Sequence, residues 1–217
     1  PKYVLLYNKY YIILMVSYAD FEILKHIGDG GSSNVYKVKY KTNGRIYAMK
    51  MINKLSNKHN DKKLSNIILN ENNILQKLNN KYIIKLYFSF EDYLNIYFVL
   101  EYAEMGDLYK IINSTLSTEQ ITFYFIEILL GIQYLHENGI IMRDIKPENI
   151  LIKEDGHIII GDFGLAKHTD RATTQCGTIE YIAPEIINNG EQTIKIDIWS
   201  LGILLYELIY KVTPFEN

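Results

Sequence analysis

The sequence predicts an α+β fold with two lobes, a small lobe built on an antiparallel sheet and a mainly helical large lobe. Three short runs between residues 21 and 52 alternate in polarity or are rich in β-branched and aromatic residues, as strands are. After Gly106 the apolar residues recur at helical spacing instead. With 217 residues, 48% of them hydrophobic, the chain can bury a substantial core.

The predicted small lobe is a meander followed by a helix and two further strands. The runs FEILKHI, NVYKVKY and RIYAMKMI are separated by turn residues at 28–31 and 42–44, which predicts three antiparallel strands. A helix follows the polar stretch 53–63, and two strands are expected at 83–90 and 96–100. The helix has its apolar stripe at Leu64, Ile68, Leu75 and Leu78.

The predicted large lobe contains two long helices. Ser117 and Gln120 form a capping box before the first, and Asn138-Gly139 is a helix stop. The second, at about 194–210, is apolar nearly all round, which is typical of a buried central helix. We expect an apolar flank at 1–20, the small lobe at 21–101, a hinge at 102–106 and a partial large lobe at 107–217. Since few residues follow the second helix, we expect a fragment with an incomplete large lobe.

Composition excludes several classes of partner. The formal net charge is only -2, so a nucleic-acid partner is not expected. The apolar stretch 3–16 is shorter than the roughly 18 residues of a membrane span. A single cysteine, Cys176, cannot form a disulfide within the chain, which favours a reducing compartment, the cytoplasm or the nucleus.

A glycine-rich loop after the first strand is the first candidate site. Glycines let backbone N–H groups approach phosphate oxygens closely, although a turn without a ligand is an equal alternative for such a loop alone. Residues 34–40 alternate as a strand where a dinucleotide fold needs a helix, and no Gly-Lys-Ser/Thr follows as in a P-loop. Both of those phosphate-binding loops are therefore disfavoured.

Lys50 and Glu71 are charges at positions where the pattern wants apolar residues. Lys50 lies within an otherwise apolar strand, and Glu71 falls on the apolar stripe of the following helix. A lone buried charge is costly, so we expect the two to meet, and such a lysine can present its ammonium group to nucleotide phosphates. Two solvated surface charges are the alternative.

Two polar loops supply what phosphoryl transfer requires. The segment IIMRDIKPEN at 140–149 places acids, an amide and cations between a helix and a short strand, and GDFG at 161–164 follows an apolar strand. Phosphoryl transfer needs a carboxylate to orient the acceptor, oxygen ligands for magnesium and a cation to balance the moving charge. The two loops contain all three.

These motifs resemble the eukaryotic protein kinases over about residues 20–217. The resemblance implies that Asp144 is the catalytic base and Lys146 the cation beside the transferred phosphate, with Asn149 and Asp162 as magnesium ligands. Asp197 matches a buried helix acid that braces the catalytic loop. The implied cofactors are ATP and Mg²⁺, and the implied fold is the bilobal kinase fold.

The resemblance also implies a nucleotide site. The Lys-Pro-Glu-Asn loop is similar to that of serine/threonine kinases, and the strings CGTIEYIAPE and EYAEMGDLY are similar to the AGC group. Adenine is expected at the backbone of the hinge, beside a gatekeeper leucine. The implied ATP-binding residues are Ile27, Gly28, Asp29, Gly30, Gly31, Ser32, Ser33, Asn34, Val35, Ala48, Lys50, Glu71, Leu100, Glu101, Ala103, Asp107 and Leu151.

Regulation and substrate choice are further expectations. Arg143 and Lys167 match residues that bind a phosphate on the activation segment, for which Thr174 is the matching acceptor and Thr173 a competitor. Thr178 resembles the hydroxyl that reaches the catalytic base. Glu148, Glu207 and Asp107 match positions that contact arginines of basic protein substrates. We expect an upstream activating kinase; the alternative function is a pseudokinase or fragment that only binds partners.

Overall fold

The computed structural model describes residues 16–30, 33–54, 61–114, 116–168 and 176–215. No helix in these ranges is long and apolar enough to cross a membrane. The strands are β1 (Phe21–Gly30), β2 (Ser33–Tyr40), β3 (Ile46–Asn53), β4 (Leu86–Glu91), β5 (Asn95–Leu100), β6 (Gly106–Asp107), β7 (Ile140–Ile141), β8 (Ile150–Ile152), β9 (Ile158–Ile160) and β10 (Lys167–His168). The helices are α1 (Asp61–Lys77), α2 (Leu108–Ile112), α3 (Thr118–Glu137), α4 (Pro184–Ile187) and α5 (Lys195–Tyr210).

Five antiparallel strands form one sheet in the order β1-β2-β3-β5-β4. The predicted meander is confirmed, because β-branched and aromatic residues fill β1 to β3 and Gly44 takes φ +72° in the β2–β3 turn. The strand predicted at 83–90 begins later, at Leu86. Ile83 instead makes an isolated parallel bridge to Ile160.

Aromatic side chains fill the core on one face of this sheet. Phe90 stacks on Tyr97 with ring centroids 4.8 Å apart and on Phe21 at 6.0 Å. Val38 and Met49 lie among these rings and are fully buried. Each buried side chain of this kind stabilises the folded state by about 1.5–3 kcal/mol, so this cluster holds the strands together.

The β4–β5 turn is organised by one carboxylate. Asp92 Oδ1 accepts hydrogen bonds from the backbone N–H groups of Leu94 and Asn95, at 2.8 and 2.7 Å. Its other oxygen, Oδ2, accepts from the hydroxyl of Tyr97 at 2.7 Å. The bond from Tyr97 lowers the pKa of Asp92 below its usual value, and burial together with Asp92 raises the pKa of Tyr97 to about 12.

The capping box predicted before α3 is present. Ser117 N–H donates to Gln120 Oε1 at 2.9 Å, and Gln120 N–H donates to Ser117 Oγ at 3.3 Å. At the other end Asn138 is the C-cap and Gly139 takes φ +68°, as the Asn-Gly stop predicts. Helix α3 packs on β9, whose three isoleucines are fully buried.

The chain divides into two compact units: Pro1–Asn66 with Lys85–Tyr102, and Ile67–Ile84 with Ala103–Asn217. This differs from the expected small lobe at 21–101, because the second half of α1 and the segment after it belong to the second unit. Ile84 N–H donates to Ile160 O at 3.0 Å, and Ile160 N–H donates to Tyr82 O at 2.8 Å. These backbone bonds account for the different boundary.

Helix α5, expected to be a central helix of an incomplete large lobe, is covered on one face only among the described residues. One face is buried, with Leu204 and Leu208 fully enclosed. On another face Ile198 is 55% exposed and Ile209 is 50% exposed. Trp199 stacks on Phe215 at 5.9 Å, and both rings remain partly exposed. Hydrophobicity around a helix therefore did not reveal which face is covered.

Candidate active site

Asp197, in the first turn of α5, holds the loop that follows β7. Its carboxylate accepts the backbone N–H groups of Met142 and Arg143 at 2.9 and 2.8 Å, and lies 2.7 Å from His136 Nε2. The side chain of Asp197 is almost fully buried, and so is Met142. Three polar partners compensate the burial of this charge. The expected brace between α5 and the loop is therefore seen in its contacts.

Asp144 lies at the centre of the loop, with both carboxylate oxygens engaged. Asn149 Nδ2 donates to the backbone oxygen of Asp144 at 2.8 Å and to its Oδ2 at 3.0 Å. Lys146 Nζ lies 3.0 Å from the same Oδ2. These contacts fix the orientation of the Asp144 carboxylate, and they turn the amide oxygen of Asn149 away from it.

Thr178 bridges Asp144 and Lys146. Its hydroxyl donates to Asp144 Oδ1 at 2.8 Å and accepts from Lys146 Nζ at 2.7 Å, and its backbone N–H donates to the same Oδ1 at 3.1 Å. Gly177 permits this approach: its φ is +111°, and an added Cβ would lie 2.9 Å from Arg143 O. Only glycine avoids both the backbone strain and the close contact.

The turn at Asp162–Gly164 leaves the carboxylate of Asp162 exposed and buries the ring of Phe163 completely. Asp162 takes φ +51°, a left-handed conformation that aspartate adopts more readily than most residues. Its Oδ1 accepts from Gly164 N–H at 3.3 Å. The buried phenylalanine thus anchors a turn that presents the acid.

Arg143 and Lys167 flank Cys176. Arg143 takes φ +68°, and its Nε donates to Leu165 O at 2.7 Å. Burial raises the pKa of the Cys176 thiol, and the charges of Arg143 and Lys167 oppose that shift. Strand β10 pairs Lys167 with Ile141. Thr173 and Thr174 lie outside the described residues, so the expected phosphate contact stays a prediction.

The three acids expected to contact basic substrates differ in environment. Glu148 is exposed. Glu207 is buried and accepts a hydrogen bond from the hydroxyl of Tyr181, whose pKa is raised by burial and by this carboxylate. Asp107 caps α2, accepting from the backbone N–H of Lys110 at 3.0 Å and from its Nζ at 2.7 Å.

The first unit carries the glycine-rich loop and those expected nucleotide-binding residues that lie on the five-stranded sheet. In the described part of the loop, Gly28 pairs with Val35, Asp29 with Asn34 and Gly30 with Ser33; Gly31 and Ser32 lie outside the described residues. Cross-strand pairs Val35–Lys50, Lys37–Ala48 and Ala48–Leu100 place Val35, Ala48 and Leu100 on the same face of the sheet. Ile27 is 36% exposed. Glu101 N–H donates to Lys85 O at 2.9 Å, directly after the end of β5.

The second unit carries the remaining expected contacts. Ala103 is buried, and Leu151 Cδ1 would lie 3.3 Å from a Cβ added at Gly161. Glu71 is buried, and its Oε2 would lie 3.8 Å from a Cβ added at Gly164. Its burial agrees with its place on the apolar stripe of α1. The pairing of Glu71 with Lys50, which belongs to the first unit, stays a prediction.

Sequence reasoning missed three side chains that shape this site: His136 on Asp197, Tyr181 on Glu207, and Asn70, whose Nδ2 donates to Ala166 O at 2.6 Å. Each contact joins residues 26 to 96 positions apart. No local pattern in the sequence singles out these three side chains, because each contact is made only when distant segments pack together.

The family model for the protein kinase domain matches residues 21–217. The chain belongs to the protein kinase family. Protein kinases generally use ATP and Mg²⁺. Across the described residues no group of three or more His, Cys, Asp or Glu side chains could hold a metal ion.

Curated relatives cover most of this chain. A RAC family serine/threonine-protein kinase homolog of Dictyostelium discoideum is 39% identical over 93% of this chain and 47% of its own length. Human ribosomal protein S6 kinase alpha-2 is 40% identical over 92% of this chain and 28% of its own length. Rat ribosomal protein S6 kinase alpha-1 is 38% identical over 91% of this chain and 28% of its own length. The expected resemblance to the AGC group is thereby confirmed. The chain spans about half or less of the length of these relatives.

Proposed function

We propose that this chain is a serine/threonine protein kinase, transferring the γ-phosphoryl group of ATP to a hydroxyl of a protein substrate. The observation that carries the proposal is the cluster of Asp144, Lys146, Asn149 and Thr178, joined by contacts of 2.7 to 3.1 Å. An ordered carboxylate beside a cation is the arrangement that this chemistry needs, because most of the catalysis is positioning and charge stabilisation.

In this proposal Asp144 accepts the proton of the substrate hydroxyl as the oxygen attacks phosphorus. The oxygen–phosphorus bond to the substrate forms, and the bond between the γ-phosphorus and the bridging oxygen of ADP breaks. Lys146, held 3.0 Å from Asp144 Oδ2, balances negative charge on the phosphoryl oxygens. Thr178 keeps the carboxylate and the ammonium group in register.

Asn149 and Asp162 would hold Mg²⁺, which supplies positive charge beside the phosphates. The amide nitrogen of Asn149 donates to Asp144, so its amide oxygen would be the atom that binds Mg²⁺. Asp162 adds an exposed carboxylate. One amide oxygen and one carboxylate match the oxygen ligands that magnesium prefers.

The nucleotide would be bound by the residues that the family motif names. Val35, Ala48 and Leu100 share a face of the five-stranded sheet, where apolar side chains suit a purine. Lys50, on the same face, would contact the phosphates, and Glu71 would support it. Backbone groups of Glu101 and Ala103 would bind adenine.

Phosphate transfer from ATP to a basic Ser/Thr peptide tests the proposal. We expect Asp144→Asn and Asp162→Asn each to lower kcat by at least about 100-fold, since each removes a charge used in the reaction. Asp155→Asn is the matched control, because Asp155 is an exposed turn carboxylate that accepts His157 N–H at 3.1 Å. Undiminished transfer by Asp162→Asn refutes the mechanism. If the unmodified chain binds ATP but transfers no phosphate, the result favours the alternative function, a pseudokinase or fragment that only binds partners.

We further propose that the substrates carry basic residues near the acceptor hydroxyl, and that Glu148 recognises them. Glu148 is exposed, whereas Glu207 and Asp107 are engaged by Tyr181 and Lys110. A peptide library should show a preference for Arg or Lys that Glu148→Gln weakens by about 10-fold. Glu154→Gln, at another exposed acid, is the control. A library without any basic preference refutes this proposal.

We propose regulation by an upstream kinase acting on Thr174, with Arg143 and Lys167 binding the added phosphate. Support comes from the placement of the two cations, since Lys167 pairs with Ile141, which precedes Arg143 by two residues. Thr174→Ala should abolish the increase in kcat that an activating kinase produces, while Thr173→Ala should not. The reverse result would assign the site to Thr173.

A location in the cytoplasm or nucleus is also part of the proposal, because the chain has a single cysteine.

A further inference from the structure

The segment that follows the Asp162 turn is held by side chains from two different elements. Arg143 Nε, from the catalytic loop, donates to Leu165 O at 2.7 Å. Asn70 Nδ2, from α1, donates to the next carbonyl, Ala166 O, at 2.6 Å. Two consecutive carbonyl groups are thus each held by a side chain from a different element, one of them by α1.

Asn70 is an unusual residue for the place it occupies. Asparagine is a weak helix former, since its side chain competes for backbone hydrogen bonds, yet Asn70 lies inside a 17-residue helix. Its amide bonds none of the helix's own carbonyls in the way such residues often do, and instead reaches residue 166, 96 positions away. The bond supplies a reason for the residue.

The same side of α1 also faces the Asp162 turn. The next residue, Glu71, is buried with its Oε2 3.8 Å from where a Cβ at Gly164 would lie. Ala166 is buried, and its N–H donates to Phe163 O at 3.1 Å. Movement of Ala166 would therefore be passed through one hydrogen bond to Phe163, the residue beside Asp162.

Asp162 needs this support because its backbone has φ +51°. A residue with a Cβ in the left-handed region persists there when surrounding structure determines its position. We propose that Asn70 is a positioning residue: its bond to Ala166 holds the post-turn segment on α1 and so keeps Asp162 in the conformation that presents its carboxylate. This inference rests on the proposed kinase function for its kinetic consequence, although the contact itself does not.

The variants are Asn70→Asp, which keeps the shape but removes the donor, Asn70→Ala, which removes the side chain, and Asn70→Gln, which keeps an amide donor. Asn73→Ala, at an exposed asparagine of the same helix, is the matched control. We expect Asn70→Asp and Asn70→Ala to lower kcat about 10-fold and to raise the Mg²⁺ concentration at half-maximal rate, because each loses the hydrogen bond to the Ala166 carbonyl. Asn70→Gln should recover part of the rate.

A second readout does not depend on catalysis. Amide hydrogen exchange of a peptide covering residues 163–168 should become about 10-fold faster in Asn70→Ala and stay unchanged in Asn73→Ala. Unchanged exchange in this peptide, or unchanged kcat and Mg²⁺ dependence in Asn70→Asp alongside an active parent, overturns the inference. If the parent transfers no phosphate, the proposed function fails, while the exchange experiment still decides whether Asn70 holds the segment.

Discussion

The Thr178 hydroxyl donates a hydrogen bond to Asp144 Oδ1 at 2.8 Å while accepting one from Lys146. Replacing Thr178 by alanine should lower kcat about 10- to 100-fold, because the hydroxyl that aligns the base with the cation is lost. Thr178→Ser retains a hydroxyl, so its kcat should stay within about threefold of that of the parent. Steady-state kinetics with peptide and ATP varied separately checks both; equal rates for alanine and serine would contradict the aligning role.

Asp197→Asn should destabilise the chain by about 3 kcal/mol. The substitution turns an acceptor into a donor next to the N–H groups of Met142 and Arg143, in a buried site. Chemical denaturation measures the free energy of unfolding. Asp155→Asn, on an exposed carboxylate that also accepts a backbone N–H, should change it by about 0.5 kcal/mol or less. A similar loss in both variants would contradict the importance of burial.

Stability should fall in alkali through Tyr97. Its folded-state pKa is raised to about 12, above its usual value of 10.0, so the folded state binds this proton more tightly than the unfolded state. The contribution is complete below pH 10.0 and is lost as the pH rises from there to about 12, at a slope of at most about 1.4 kcal/mol per pH unit. Denaturation at several pH values should show a shallower decline for Tyr97→Phe. An identical decline would exclude Tyr97 as the titrating group.

Lys37→Ala should lower the free energy of unfolding by about 0.5–1 kcal/mol. Lys37 Nζ lies 4.5 Å from the centroid of the Tyr102 ring, which ties β2 to the residue two positions after β5. Lys85→Ala is the comparison, because Lys85 Nζ lies farther from the Tyr87 ring, at 5.4 Å, on an exposed side chain. The denaturation midpoints of the two variants measure these losses. A larger loss of stability in Lys85→Ala than in Lys37→Ala would refute the contribution of the Lys37–Tyr102 contact.

Regular elements were predictable because their signals are local. The alternation of β1 to β3 and the Ser117–Gln120 capping box were confirmed, since each depends on residues a few positions apart. The start of β4 and the exposed face of α5 were not, since they depend on what packs against a residue. The bonds from His136 to Asp197 and from Asn70 to Ala166 leave no periodic trace in the sequence. The candidate site was therefore recognised by its motifs, and its supporting contacts only by the fold.

The Asp197 carboxylate binds the main chain at residues 142 and 143, through N–H groups that every residue except proline carries. The position of the loop therefore does not depend on a polar contact of the side chain at 142. Methionine there has only to fill buried space, which its flexible thioether does well. A loop held through its backbone in this way can take another side chain at position 142, provided that it fits the buried space, without losing these two hydrogen bonds.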